Sequence, residues 1–305
     1  MQVKTIRTNI ENKLNEWLGT ITDIQLRKDV KENLLVSGGS ITSMLLNEPV
    51  NDYDVYLTKM DIVKRIAEYY TKDIGGVVIF DGREKGKLIE EYNDRERENG
   101  TSYSVAKDKN STAISLRNLK ENQIKLYFEG ATGGMKLNDH LKEGELNYHV
   151  LYLSPNAISL SNNLQIVLRF WGTNEEIHKT FDFIHATNYF TFKDGVVRNL
   201  PAIESILTKQ LKYQGSYYPV TSIIRAKKFI KRGFNIGAGE LLKIMFQISQ
   251  LDLNNPDVLE EQLIGVDVAY FDLLITALRN KMTEEPDFKL STEYFNELIN
   301  RIFGE

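Results

Sequence analysis

Cysteine is absent from the 305 residues, which excludes disulfide cross-links and thiolate zinc sites. Histidine is scarce. The four present, His140, His149, His178 and His185, fall in no His-x-x-x-His or similar ligand spacing, and each is read as structural. No apolar run approaches the ~20 residues that a membrane-crossing helix requires, and no segment resembles a signal peptide. With no cysteine and no export signal, a reducing cytoplasm is the expected location and no membrane partner is expected. Neither sign of charge dominates. A net charge of −4 argues against wholesale coating of nucleic acid while leaving room for a local basic patch. The 42% apolar and 26% charged content suits a globular chain, long enough for two domains on the usual scale of roughly 100–200 residues each. Oligomeric state is not legible.

Glycine is used pointedly in one place. The apolar run Leu34-Leu35-Val36 ends at Gly38-Gly39, whose missing side chains permit a sharp turn and a close approach to phosphate. Ser40 is placed to cap the following helix, which makes the turn an anion site. Pro49 and Asn51 break that helix, and Asp52-Tyr-Asp54-Val-Tyr-Leu then reads as a strand with both acids on one side. Paired carboxylates repel unless a cation sits between them, and a hard divalent ion, Mg²⁺ or Mn²⁺, suits oxygen ligands. A phosphate-holding turn beside such a cation is the equipment for attack of a hydroxyl on an NTP α-phosphate.

Taken in order, residues 1–32 read as supporting helices, with Ile6, Ile10, Leu14, Leu18, Ile21 and Ile24 at helical spacing. Residues 60–71 form a further helix and Gly75–Phe80 a strand, giving an α/β alternation. Residues 82–123 are polar and charged, with weak strand signals near Tyr103 and Ala113, and read as an insertion. Strands follow at 123–128, 146–153, 157–160 and 164–170, all extending the same sheet, the last two joined as a hairpin through Ser161-Asn162-Asn163. Thr173 is placed to cap a short helix over 173–180. In Phe181-Asp182-Phe183-Ile184-His185-Ala186, read as an apolar strand, Asp182 is the polar member. An acid there either caps a nearby backbone group or completes the cluster of Asp52 and Asp54, and the second is favoured.

From about residue 200 helical periodicity dominates. Tyr218–Ile236 contains a basic amphipathic helix closed by Gly233, on which Arg225 and Lys228 share a face. With Lys209 and Lys212, read as lying on the preceding helix, they could line a cleft that neutralises triphosphate or RNA backbone, or simply form a solvated basic face. The last helices, near 237–250, 256–280 and 290–303, carry no chemical motif and read as a packed bundle.

The Gly-Gly-Ser turn, helix and Asp-x-Asp strand together resemble the head domain of the nucleotidyltransferase superfamily, and its bacterial poly(A) polymerase and CCA-adding branch in particular. Phe181–Ala186 resembles that branch's Arg-Asp-Phe-Thr-Ile-Asn-Ala motif, with Phe181 and Ala186 in place of its Arg and Asn. The 218–236 helix resembles its Leu-Leu-Arg-Ala-Ile-Arg-Phe-Ala-Ala-Arg-Phe-Gly-Phe helix, Arg225 falling on the first Arg and Lys228 on the second. Where the branch carries Val-Arg-Asp after the glycines, this chain has Ser40-Ile41-Thr42-Ser43, and the base-reading Glu/Asp-x-x-Arg sequence has no clean copy.

The resemblance implies an α+β fold: a polymerase-beta-like mixed-sheet head over 33–195, carrying the 82–123 insertion, then an all-helical domain over 196–305. It implies a template-independent nucleotidyltransferase in which Asp52, Asp54 and Asp182 hold Mg²⁺ or Mn²⁺, and Asp182 orients or deprotonates the attacking hydroxyl. Gly38, Gly39, Ser40, Arg225 and Lys228 would bind the NTP, and an RNA or tRNA 3′ end is the favoured acceptor. ATP and CTP both stay open. The chain is short for a CCA-adding enzyme and shows no RNA-anchoring tail, which counts against full CCA synthesis, and the divergent motifs suggest a phage-type lineage. Two alternatives stand beside this reading: transfer to a protein or small molecule, and a non-catalytic binding protein that keeps the fold.

Overall fold

Ile6, Ile10, Leu14, Trp17, Leu18 and Ile21 recur every three or four residues, and all are buried along helix α1 (Val3–Thr20) or at its end. Helix α2 (Ile24–Asn33) starts at Asp23, whose side chain accepts the Leu26 N–H at 2.8 Å. The computed structural model describes residues 1–84, 122–128, 135–137, 147–262, 268–285 and 288–303. Strand signals near Tyr103 and Ala113, and most of the 82–123 insertion, lie outside the described residues.

The chain divides into two units, one of Met1–Lys179 with His185–Ile206, the other of Thr180–Ile184 with Leu207–Glu305. The fold is α+β. In the first unit an eight-stranded mixed sheet runs in the order β10-β9-β1-β2-β8-β7-β6-β5. These strands are β1 (Leu34–Ser37), β2 (Tyr53–Leu57), β5 (Met135–Lys136), β6 (Val150–Ser154), β7 (Ala157–Leu160), β8 (Leu164–Trp171), β9 (Tyr189–Thr191) and β10 (Gly195–Val197). Only β2 and β8 pair in parallel; the other pairs are antiparallel. One face of the sheet carries the row Val36, Val55, Ile166, Ile158 and Leu153. It packs into a core shared with α1, α2, α3 (Gly39–Leu45) and α4 (Met60–Thr71).

The hairpin at 157–171 forms as read, with Asn162 and Asn163 both at positive φ and Leu160 opposite Leu164. Helix α5 (Asn174–His178) begins with a complete capping box between Thr173 and Glu176. Three readings need correction. Strand β4 (Ile124–Phe128) does not extend the main sheet: it pairs antiparallel with β3 (Val77–Asp81) in a separate two-stranded sheet. Residues 181–186 are not a strand but one bridge, Phe183 to Tyr213, followed by a 3₁₀ turn over Ile184–Ala186. That turn aims carbonyls at the Gly38 region instead of at a sheet ladder. Lys209 is not helical, since it lies past α6 (Leu200–Thr208) at a φ of 53°.

The second unit holds α7 (Pro219–Lys231), α8 (Ala238–Ile248), α9 (Pro256–Gln262), α10 (Val268–Glu284) and α11 (Thr292–Phe303). Helix α7 has Pro at its start, and Gly233 follows it at positive φ, the closure that the sequence predicts. The unit is not purely helical, because β11 (Gln210–Leu211) pairs in parallel with β12 (Asn235–Ile236). Leu259, Leu274, Ile275, Leu278 and Leu298 form its core.

Trp17 is fully buried, and its indole N–H donates to the Tyr70 hydroxyl at 2.8 Å. Replacing it with alanine removes both the packing and the donor, and Trp17→Ala is expected to cost about 3–5 kcal/mol in chemical denaturation.

Candidate active site

Strand β1 delivers the chain to Gly38, which caps α3 at a φ of 92°, a conformation open to glycine and strained for other residues. Space demands glycine here as well: a Cβ on Gly38 would lie 3.1 Å from Asp54 Oδ2. The two are brought together by sheet register, because Ser37 lies opposite Asp54 across β1 and β2. Asp54 is half-buried, whereas Asp52 is exposed and precedes the strand.

The turn is braced from behind. The Gly38 N–H donates to the Ala186 carbonyl at 3.1 Å, and Thr42 Oγ1 donates to the His185 carbonyl at 2.9 Å. Ser37, fully buried, places its hydroxyl 2.9 Å from the Asn188 carbonyl and 2.9 Å from His178 Nε2. With the serine proton on the carbonyl, His178 donates from Nε2 to Ser37 Oγ. Burial pushes the His178 pKa down to about 4, against a smaller opposing effect of Glu175, so the imidazole is neutral near pH 7. A serine and histidine at this distance suggest a nucleophile. Here the serine is inaccessible and its proton is committed, so the pair holds the strand end in place.

Ser40 corrects its predicted role. Helix α3 already begins at Gly39, so Ser40 lies inside the first turn and Gly38 is the cap. Its hydroxyl is buried, with 2% of the residue exposed, and has no hydrogen-bond partner among the described residues. Such a group lacks its share of hydrogen bonding until something supplies it.

Asp182 lies in the second unit, and both of its oxygens are engaged there. Ser216 Oγ donates to Oδ1 at 2.7 Å and Arg225 Nη1 to Oδ2 at 2.6 Å, and 4% of Asp182 is exposed. The segment is further fixed by Gln214, whose backbone N–H donates to the Asp182 carbonyl and whose side chain donates to that of Phe181. Arg225 is thus committed to Asp182, while Lys228 is exposed on α7. Lys209 sits 4.6 Å from the Phe234 ring and donates to the Arg232 carbonyl, closing the end of α7. Among the described residues, no three His, Cys, Asp or Glu side chains are grouped to hold a metal ion, and no helix is long and apolar enough to cross a membrane.

A family model described as "Gabija anti-defense 2 family protein" matches residues 8–209. A protein named "Gabija anti-defense 2" from Bacillus phage SPbetaL7 is 21% identical over 97% of the chain, which spans only 58% of that relative's length. A CCA-adding enzyme solved in complex with CTP is similar at a TM-score of 0.43 and 14% identity, over 100% of this chain and 62% of that one. The Thermotoga maritima CCA-adding enzyme complexed with tRNA is similar at 0.37 and 12% identity, over 92% and 57%.

The lowered His178 pKa has a consequence for stability. Between about pH 6.5 and pH 4 the unfolded chain binds a proton that the native state refuses, so stability falls with pH across that window. Thermal melts at pH 7 and pH 5 should show His178→Gln losing less than wild type, by roughly 2–4 °C, equivalent to about 1 kcal/mol. Arg225→Met strands a buried carboxylate and should destabilise the second unit by about 1–3 kcal/mol in denaturant melts, with Asp182→Asn restoring part of the loss.

Proposed function

We propose that this chain, which belongs to the Gabija anti-defense 2 family, is a divalent-metal-dependent nucleotidyltransferase. The observation that carries the reading is the Asp54 carboxylate resting against side-chain-free Gly38, with the buried Ser40 hydroxyl, unpartnered among the described residues, two residues on. Phosphate oxygens accept hydrogen bonds, and a backbone stripped of Cβ atoms lets them approach a hydroxyl and amide donors closely.

The residues fit an NTP and its cation. Ser40 Oγ donates to a β- or γ-phosphate oxygen, and Gly38 and Gly39 leave room for the phosphates to lie along the turn. Asp52 and Asp54 supply carboxylates to Mg²⁺ or Mn²⁺, which when bound supplies charge stabilisation at the α-phosphate and lowers the pKa of the attacking hydroxyl. Asp54, held by sheet register against the turn, would be the fixed carboxylate for that cation. The acceptor hydroxyl gives its proton to solvent as its oxygen attacks the α-phosphorus; the new bond from that oxygen to the α-phosphorus forms, the bond from the α-phosphorus to the α,β-bridging oxygen breaks, and pyrophosphate leaves with that oxygen. Asp182 is assigned to holding Arg225. Lys228, exposed on α7 in the second unit, is a candidate contact for the phosphates of an RNA acceptor.

An RNA or tRNA 3′ end is the favoured acceptor, and a protein or small-molecule acceptor is the second reading. The relative's name, "Gabija anti-defense 2", points to a role against host defence, and transfer chemistry at this turn is the activity we assign to that role.

The test incubates the protein with each α-labelled NTP, Mn²⁺ or Mg²⁺, and pooled RNA or host-cell protein. Labelling of one acceptor class is expected, with Asp52→Ala/Asp54→Ala reducing it at least about 100-fold, the scale for losing groups that act on the transition state. Equal labelling by the double variant removes the proposed site.

A further inference from the structure

Beyond the two acids, the sheet presents a third group at this site. β2 and β8 run parallel with Asp54 opposite Gln165, and β7 places Ser159 opposite Gln165. Residues opposite one another on paired strands share a face. The neighbouring row of Val36, Val55, Ile166 and Ile158 is buried in the core, so Ser37, Asp54, Gln165 and Ser159 line the other face. Asp54 therefore has Gly38 against its carboxylate and Gln165 beside it on the adjacent strand.

The amide of Gln165 is oriented. Its Nε2 donates to Ser159 Oγ at 3.4 Å, which turns the nitrogen toward β7 and leaves the carbonyl oxygen as an acceptor. Gln165 and Asp54 are both half-buried, so a small hydrated ion can reach the two. Amide carbonyls ligate hard divalent cations as carboxylates do, without the charge.

We infer that Gln165 gives a neutral carbonyl oxygen to the divalent cation held by Asp54, in place of a third acid. The inference rests on the function proposed above and sharpens it. With Asp52 and Asp54 as the charged ligands, the protein side of the site carries two negative charges, and a cation held by so few charges binds the bare protein weakly. The rest of its ligand field comes from substrate phosphates. Ser159 acts through Gln165 as a positioning residue.

The experiment titrates Mn²⁺ into the full chain without nucleotide and follows free Mn²⁺ by electron paramagnetic resonance. Gln165→Glu adds a charge beside Asp54 and is expected to bind Mn²⁺ about tenfold tighter than wild type. Gln165→Leu is expected to bind about three- to tenfold weaker, as is Gln165→Asn, whose shorter amide falls short and whose polarity guards against a folding artefact. Melting curves identify any variant that loses its fold. If Asp54→Asn abolishes Mn²⁺ binding while the Glu, Leu and Asn variants bind like wild type, Gln165 is no ligand and the inference is overturned, with the proposed function untouched. If Asp54→Asn binds as wild type does, the proposed cation site itself is wrong and the inference goes with it.

Discussion

A carboxylate placed where a side chain would otherwise be is the constraint on which the first unit turns. Asp54 reaches within 3.1 Å of the position that a Cβ of Gly38 would take, and Gly38 holds a φ that strains other residues. Neither fact depends on the other, and together they admit only glycine. The antiparallel register of β1 against β2 converts this local requirement into a fixed distance between turn and acid, because sliding either strand by one residue would send Asp54 into the core. The apolar row of Val36, Val55 and Ile166 forbids that slip, so the core on one face of the sheet sets the chemistry on the other.

Polar bracing around the turn runs through the 185–188 stretch. Ser37, Thr42 and the Gly38 amide each find a carbonyl in the 185–188 stretch, and neutral His178 adds a hydrogen bond without bringing charge into a buried place. Beside it the Ser40 hydroxyl is buried with no partner among the described residues. A missing hydrogen bond on a buried hydroxyl costs about 1–3 kcal/mol, which a bound phosphate oxygen would return.

Local signals were legible in the sequence because their causes are local. The capping box of Thr173 and Glu176, the Asn162-Asn163 reversal, helix 60–71 and the proline-to-glycine span of α7 each depend on residues a few positions apart. Pairings across long separations were not legible. Asp182 finds Ser216 and Arg225 from 34 and 43 residues away, so an acid among apolar neighbours gave notice of a partner without saying which one. The place of β4 in its own small sheet and the bend at 184–186 follow from the same kind of distant pairing. Gln165 carries no signal by itself, an ordinary polar residue on an alternating strand; only the register of β8 against β2 brings it beside Asp54.

The acids of this chain illustrate how burial sorts roles. Asp182, 4% exposed and held by an arginine and a serine, would have to surrender a charge-assisted hydrogen bond to ligate anything, and breaking such a pair in a buried setting is costly. Asp52 and Asp54 are less buried, one exposed and the other half-buried at the lip of the turn. The unit bearing them runs to Ile206, close to where the family match ends at residue 209. The match thus spans the sheet, the bent glycine and the acid against it, and it also takes in Asp182, whose arginine partner lies beyond it on α7.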